Sequence, residues 1–243
     1  MTRRPLTALI WDYDGTLADT RRRNYNVVRR ILAEATGGNP DAIPALRSPE
    51  VYDAVNRGYL DWRDLYVHEF GFSDEETDRL GRLWTRYQLA DDTPAPVFDG
   101  IGTVLGALRF LPHGVVSANG RSQIARSLRE ANLHEEFRWI VGWEDVPIRR
   151  QKPEPDGLVG CLERLTGLAA GVVLYVGDHE TDVRCAENAR RAFALRGCEI
   201  RIVTVAACFT RSDGAAAWSS RPDYTAAHPH DVIDIARRVY DGA

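Results

Sequence analysis

Leu6-Thr7-Ala8-Leu9-Ile10-Trp11-Asp12-Tyr13-Asp14-Gly15-Thr16-Leu17 decides the fold of this 243-residue chain. A short apolar run passes directly into two acids and a glycine. Such a run, without polar alternation, predicts a strand buried on both faces, as in a parallel sheet. Asp12 and Asp14 then fall at its C-terminal end, where open α/β sheets place their ligands. Two positions apart on an extended chain, their side chains point the same way. Carboxylates held close repel unless one is protonated or a cation sits between them. Gly15 permits a sharp turn, and Thr16 offers a hydroxyl and a backbone N–H. Asp-Gly also ends many ordinary strands, so the motif needs company. An EF-hand loop does not fit, because its glycine falls later and its final glutamate is missing.

Moving outward, similar apolar runs at 114–117, 139–142, 172–176 and 200–206 predict further strands. Helical spacing separates them over 120–131, 155–165 and 182–196, the last with Gly197 to end it. Strands alternating with helices predict an α/β fold, a Rossmann-like parallel sheet flanked by helices. From Asp19 onward the rhythm breaks. Tyr25, Val28, Ile31 and Leu32 make one apolar helical face that Gly37-Gly38 ends, and Ser73 with Glu76 forms a capping box for a helix expected through Tyr87. Asp91 to Pro96 has the composition of a linker. The expected organisation is a core of 1–18 and 95–243, with an all-helical module, 19–94, inserted after the first strand.

Three more clusters follow predicted strands. Val115-Val116-Ser117-Ala118-Asn119-Gly120 runs into a helix start, where Ser117 and the N–H groups after it suit an anion or simply cap the helix. Val176-Gly177-Asp178-His179-Glu180-Thr181-Asp182 offers Asp178 as a hard-cation ligand and Asp182 at a helix start. Between them lies Lys152, before Pro153-Glu154-Pro155. It is the one lysine in the chain, where all other Lys+Arg positions are arginine. A compact ammonium fits between carboxylates and a phosphate where a wide guanidinium fork does not.

The order D-x-D-G-T-L, Ser-x-Asn, Lys-Pro, G-D-x-x-x-D resembles the four-motif pattern of the haloacid dehalogenase superfamily, most closely its phosphoglycolate-phosphatase-like members with a small helical cap. The resemblance implies an Mg²⁺-dependent phosphatase acting on a small phosphorylated metabolite through an aspartyl-phosphate. It implies Asp12 as nucleophile, Asp14 as acid and base, and Lys152 as the neutralising cation. Mg²⁺ would sit on Asp12, Asp14 (through its carbonyl) and Asp178, with Asp182 behind them. Thr16, Ser117, Ala118, Asn119 and Lys152 would hold the phosphoryl oxygens, and Arg47 falls where related caps face the substrate. His179 departs from the small residue common in relatives, and the helix after the fourth motif should run longer, to about Gly197.

Rival functions remain on the same residues. A sugar phosphomutase of β-phosphoglucomutase type shares all four motifs, and a non-catalytic phospho-ligand-binding protein would use the same scaffold. Asp14 disfavours a dehalogenase, which lacks this second acid. A phosphonatase or a Walker-type hydrolase would each need a lysine that is not there. The net charge of −4, with arginines interleaved among acids, gives no nucleic-acid footprint, and no segment approaches the length of a membrane span. Cys161, Cys185, Cys198 and Cys208 form no metal or disulfide pattern. A cytoplasmic protein, monomer or homodimer, is expected. The Gly100–Gly106 run has the glycine density of a dinucleotide fingerprint but fails its spacing and follows no predicted strand.

Overall fold

The computed structural model describes residues 4–210 and 214–242. They divide into two compact units: one holds the chain up to Ala18 and from Val97 on, the other Asp19–Pro96.

The first strand, β1 (Leu6–Trp11), is followed by the helical unit. There α1 (Arg21–Thr36) buries Val27, Val28, Ile31 and Leu32, and ends at Gly37 in the left-handed region (φ 63°). A second helix, α2 (Pro49–Asn56), starts at Ser48, whose side chain accepts the Val51 N–H. The single turn α3 (Trp62–Asp64) runs into a π turn over Leu65–Glu69. The Ser73/Glu76 capping box opens α4 (Asp74–Gly81), but the helix expected to continue through Tyr87 stops and restarts as α5 (Trp84–Leu89). The Trp62 ring packs where a Cβ on Gly81 would sit. The weakest helix former short of proline is therefore required just where the helix breaks. Trp62 and Trp84 pack against this unit's own apolar core.

The other unit continues with α6 (Ile101–Ala107), β2 (His113–Val116), α7 (Arg121–Glu130), β3 (Phe137–Val141), α8 (Asp156–Thr166), β4 (Gly171–Gly177), α9 (Glu180–Leu195), β5 (Ile200–Ala207), β6 (Tyr224–Ala226) and α10 (Asp231–Gly242). The strands form one parallel sheet in the order β3-β2-β1-β4-β5-β6. This is the predicted α/β class, with β1 central. Its residues alternate between two cores. Leu9 and Trp11 join Val104, Ile124 and Val232 on one face, and Ala8 and Ile10 join Leu158, Leu162 and Ala186 on the other. That double burial is why the strand reads as an apolar run. The Gly100–Gly106 run lies almost wholly in α6, burying Ile101, Val104 and Leu105 at helical spacing. α9 extends to Leu195, as long as the sequence suggested. Among the described residues, no helix is long and apolar enough to cross a membrane.

Register sets the site. Trp11 lies opposite Val115 on one side and Val176 on the other. The residues that leave these three strands therefore emerge side by side, and the Asp12 N–H donates to the Val176 carbonyl at 2.8 Å.

One buried polar group holds the sheet to α6. The Trp11 indole N–H donates to His113 Nδ1 at 3.1 Å, which leaves His113 Nε2 to donate its proton to the Leu108 carbonyl at 3.2 Å. That tautomer is neutral. Burial, partly opposed by the Leu108 bond, lowers the His113 pKa from 6.5 to about 4. Between those values the unfolded chain binds a proton that the folded chain excludes. Stability should therefore rise with pH from about 4 to about 6.5 and level off above, by about 3 kcal/mol from this group. Denaturant titrations of wild type and His113→Gln at pH 4.5 and 7 test this. Wild type should lose more stability on acidification, and equal losses would overturn the assignment.

Candidate active site

Asp12, buried at the end of β1, meets Lys152 Nζ through Oδ1 at 2.6 Å. The same ammonium meets Asp182 Oδ1 at 2.6 Å. Burial alone would lower the Lys152 pKa, but the carboxylates of Asp12 and Asp182 outweigh it and hold the amine above its ordinary range. Lys152 stays protonated. One side chain thus links the end of β1 to the first turn of α9, from a segment that continues into Pro153 and Pro155.

Asp182 belongs to the first turn of α9. Its Oδ1 also accepts the Tyr175 hydroxyl at 2.9 Å, and its Oδ2 accepts the His179 N–H at 3.2 Å. Gly177 lets it come this close, because a Cβ there would strike the Asp182 carboxylate. With both oxygens engaged, Asp182 is a holder of Lys152. His179, which departs from the small residue common in relatives, is the N-cap residue of α9, and its Nδ1 accepts the Thr181 N–H at 3.2 Å.

Asp178 leans over the turn after Asp14. Gly15 sits there at φ 66°, and a Cβ on it would collide with the Asp178 carboxylate. Two constraints, the left-handed backbone and the close approach, therefore demand glycine at one position. Asp14 is held from the other side: Asn119 Nδ2 donates to its Oδ1 at 2.8 Å and its Oδ2 at 2.9 Å, with Ser117 Oγ at 3.5 Å. The Asn119 N–H donates to Ser117 Oγ at 3.0 Å. Ala118 is exposed at the head of this loop, and its N–H has no acceptor among the described residues. Thr16 is wholly buried, its hydroxyl without a hydrogen-bond partner and its N–H on the Tyr13 carbonyl at 3.4 Å. The α7 N-terminus is partly filled from within, since Glu144 accepts the Arg121 N–H at 3.0 Å. Arg47 lies in the helical unit, exposed, after the short turn Pro44–Leu46.

Asp12, Asp178 and Asp182 each bring a carboxylate oxygen within 4.8 Å of the others. Burial pushes the Asp12 carboxyl up to about 8; Lys152 pulls against this, while Asp182 and Asp14 add to it, so a further cation beside Asp12 would be needed to keep it a carboxylate near neutral pH. One ammonium among these acids leaves a surplus of negative charge, and the donors are all oxygen. That set fits a hard divalent ion such as Mg²⁺, with Asp12 and Asp178 as the carboxylates able to hold it.

Three residues of this network escaped the sequence reading. Tyr175 reads only as a strand residue, Glu144 is not singled out, and Asn119 is expected to serve phosphate through the N–H groups around it, with no sign that its side chain grips Asp14. The periodic pattern marks Tyr175 as core, and nothing local marks its hydroxyl.

The family model for haloacid dehalogenase-like hydrolases matches residues 9–195. The chain is similar to the phosphoglycolate phosphatase of Synechococcus elongatus, at 25% identity over 96% of this chain and 99% of the relative. It is also similar to that of Pseudomonas savastanoi pv. phaseolicola, at 28% over 74% of this chain and 65% of the relative, so just under two thirds of that protein's length is spanned. Among solved structures it is similar in fold to a predicted phosphatase from Clostridium acetobutylicum (TM-score 0.73, 16% identity, 96% of this chain and 99% of that one). A haloacid dehalogenase-like family hydrolase from Streptococcus pneumoniae also matches (TM-score 0.66, 20% identity, 95% and 98%).

Gly15→Ala should displace Asp178 and force a left-handed alanine, which costs about 1–2 kcal/mol from the backbone alone. Thermal denaturation should show a lowered Tm, and calorimetric titration should show weakened Mg²⁺ binding. A variant matching wild type in both would mean that Asp178 does not depend on this turn.

Proposed function

Because the chain belongs to the haloacid dehalogenase-like hydrolase family, we propose that it is a phosphatase that hydrolyses a small phosphorylated metabolite through an aspartyl-phosphate on Asp12. The observation that carries the reading is the buried Lys152 ammonium, bonded at 2.6 Å to both Asp12 and Asp182 beside Asp178 and Asp14. A protein that only bound a phosphorylated ligand would need no second acid beside the first.

An Asp12 oxygen attacks phosphorus as the bond to the substrate's leaving oxygen breaks. Asp14 gives that oxygen its proton, so an alcohol departs. Asp14 then takes a proton from water, which attacks phosphorus and releases Asp12 and inorganic phosphate. The Asn119 amide, bonded to both Asp14 oxygens, fixes the direction of these transfers. Lys152 offsets charge on Asp12 and on the transferring group. The Ala118 N–H and the Ser117 hydroxyl would donate to phosphoryl oxygens, with Thr16 beneath the turn. Mg²⁺, held by Asp12, Asp178 and the Asp14 carbonyl, would supply charge neutralisation of the phosphate. The free cysteines suit a cytoplasmic setting.

The two curated relatives make 2-phosphoglycolate the first substrate to assay, within a panel of phosphorylated metabolites. Wild type should release inorganic phosphate only with Mg²⁺, and Asp12→Asn should release none while keeping its circular dichroism. Lys152→Arg should lose roughly a hundred-fold or more, since the fork cannot reproduce a point charge in this slot. Near-normal turnover by Asp12→Asn would overturn the mechanism. Conversion of one hexose phosphate into its isomer without phosphate release would replace it by the mutase reading.

A further inference from the structure

Tyr175 stands in β4 among glycine, valine and leucine, and it is 1% exposed. Its ring packs on the face that holds Ile10, Val173 and Cys185. A phenylalanine would fill the same space. The hydroxyl is the one side-chain polar atom in the strand, and burying it costs free energy unless it is bonded. Its bond goes to Asp182 Oδ1 at 2.9 Å, the oxygen that Lys152 meets at 2.6 Å. The Lys152 ammonium also lies 5.7 Å from the centre of the Tyr175 ring.

Two donors on one oxygen change what Asp182 can do. With Lys152 alone on Oδ1, the carboxylate would rotate and draw the ammonium toward itself. The hydroxyl takes part of that oxygen's charge and fixes the carboxylate plane, and the His179 N–H anchors the other oxygen at 3.2 Å. Lys152 is then left stretched toward Asp12 at an equal 2.6 Å.

We propose that Tyr175 is a positioning residue that acts through Asp182 to keep the Lys152 ammonium shared with Asp12. What the ammonium does in turnover rests on the phosphatase reading; where it is held does not.

Tyr175→Phe tests this by removing one oxygen and keeping the ring. With substrate, kcat should fall roughly ten-fold while KM stays within about two-fold, the size of effect expected for a bond to a charged group. The second measurement uses a property of this chain. Lys152 is the only lysine, so protein labelled with ¹⁵N-lysine gives one side-chain ammonium resonance. In wild type it should be protected from exchange with water. In Tyr175→Phe it should move and exchange faster. In an Asp182→Asn background the same substitution should add nothing to either measurement, because the route through Asp182 is already cut. An unchanged resonance and unchanged kcat, or an equal loss with and without Asp182, would overturn the proposal. Should the phenylalanine variant not fold, Tyr175→Met carries the same comparison. If wild type releases no phosphate from any ester, the phosphatase reading falls, and the lysine resonance still decides the role of Tyr175.

Discussion

An ammonium buried between two carboxylates is the constraint on which the site depends. Lys152 is nearly out of water, as are Asp12 and Asp182. A buried charge without a partner is among the most costly features a fold can carry. Each of the three therefore fixes the others, and together they fix the relative heights of β1, β4 and the start of α9. The balance is not neutral. Asp14 and Asp178 stand beside the triad, so the site is short of positive charge, a shortage that a divalent ion would relieve. The same deficit explains why Asp182 is so thoroughly hydrogen-bonded. An acid whose oxygens are all engaged serves as a fixed counter-charge to Lys152.

Much of this was legible because the sheet is buried on both faces. Five of the six described strands announce themselves as apolar runs, and Asp12, Ser117 and Asp178 each directly follow one. β6 did not, because Tyr224-Thr225-Ala226 is a three-residue edge strand with too little apolar content to stand out. α6 was hidden by glycines that suggest a loop, although Ile101, Val104 and Leu105 hold helical spacing. The break between α4 and α5 depends on Trp62, far enough away along the chain that no local pattern records it. Propensity and periodicity describe neighbours in sequence, and these three features are settled by neighbours in space.

The active residues divide in the same way. Asp12, Asp14, Lys152 and Asp178 were readable because their motifs follow one another in a set order and Lys152 is the one lysine of the chain. Tyr175, Glu144 and the side-chain role of Asn119 were not. Each serves by what it is bonded to, and hydrogen-bond partners more than a hundred residues apart, such as Asn119 and Asp14, leave no spacing to find. The two glycines stand between these cases. Gly15 was predicted for its turn, but the stronger reason for it, the approach of Asp178, needed coordinates. Gly177 makes room for Asp182 in the same manner.

The central place of β1 also bears on how the protein is made. It precedes every other strand in the sequence, yet it lies between β2 and β4, and the bond from the Thr7 hydroxyl to the Val172 carbonyl spans 165 residues. At ordinary ribosomal speeds of ~5–20 residues per second, β1 waits about 10–30 s for its second neighbour. The helical unit, continuous from Asp19 to Pro96, is complete in sequence long before then. Until β2 is made, an apolar strand has emerged with no sheet to join. A chaperone that recognises short apolar segments would find its natural target there, in the residues that later carry Asp12.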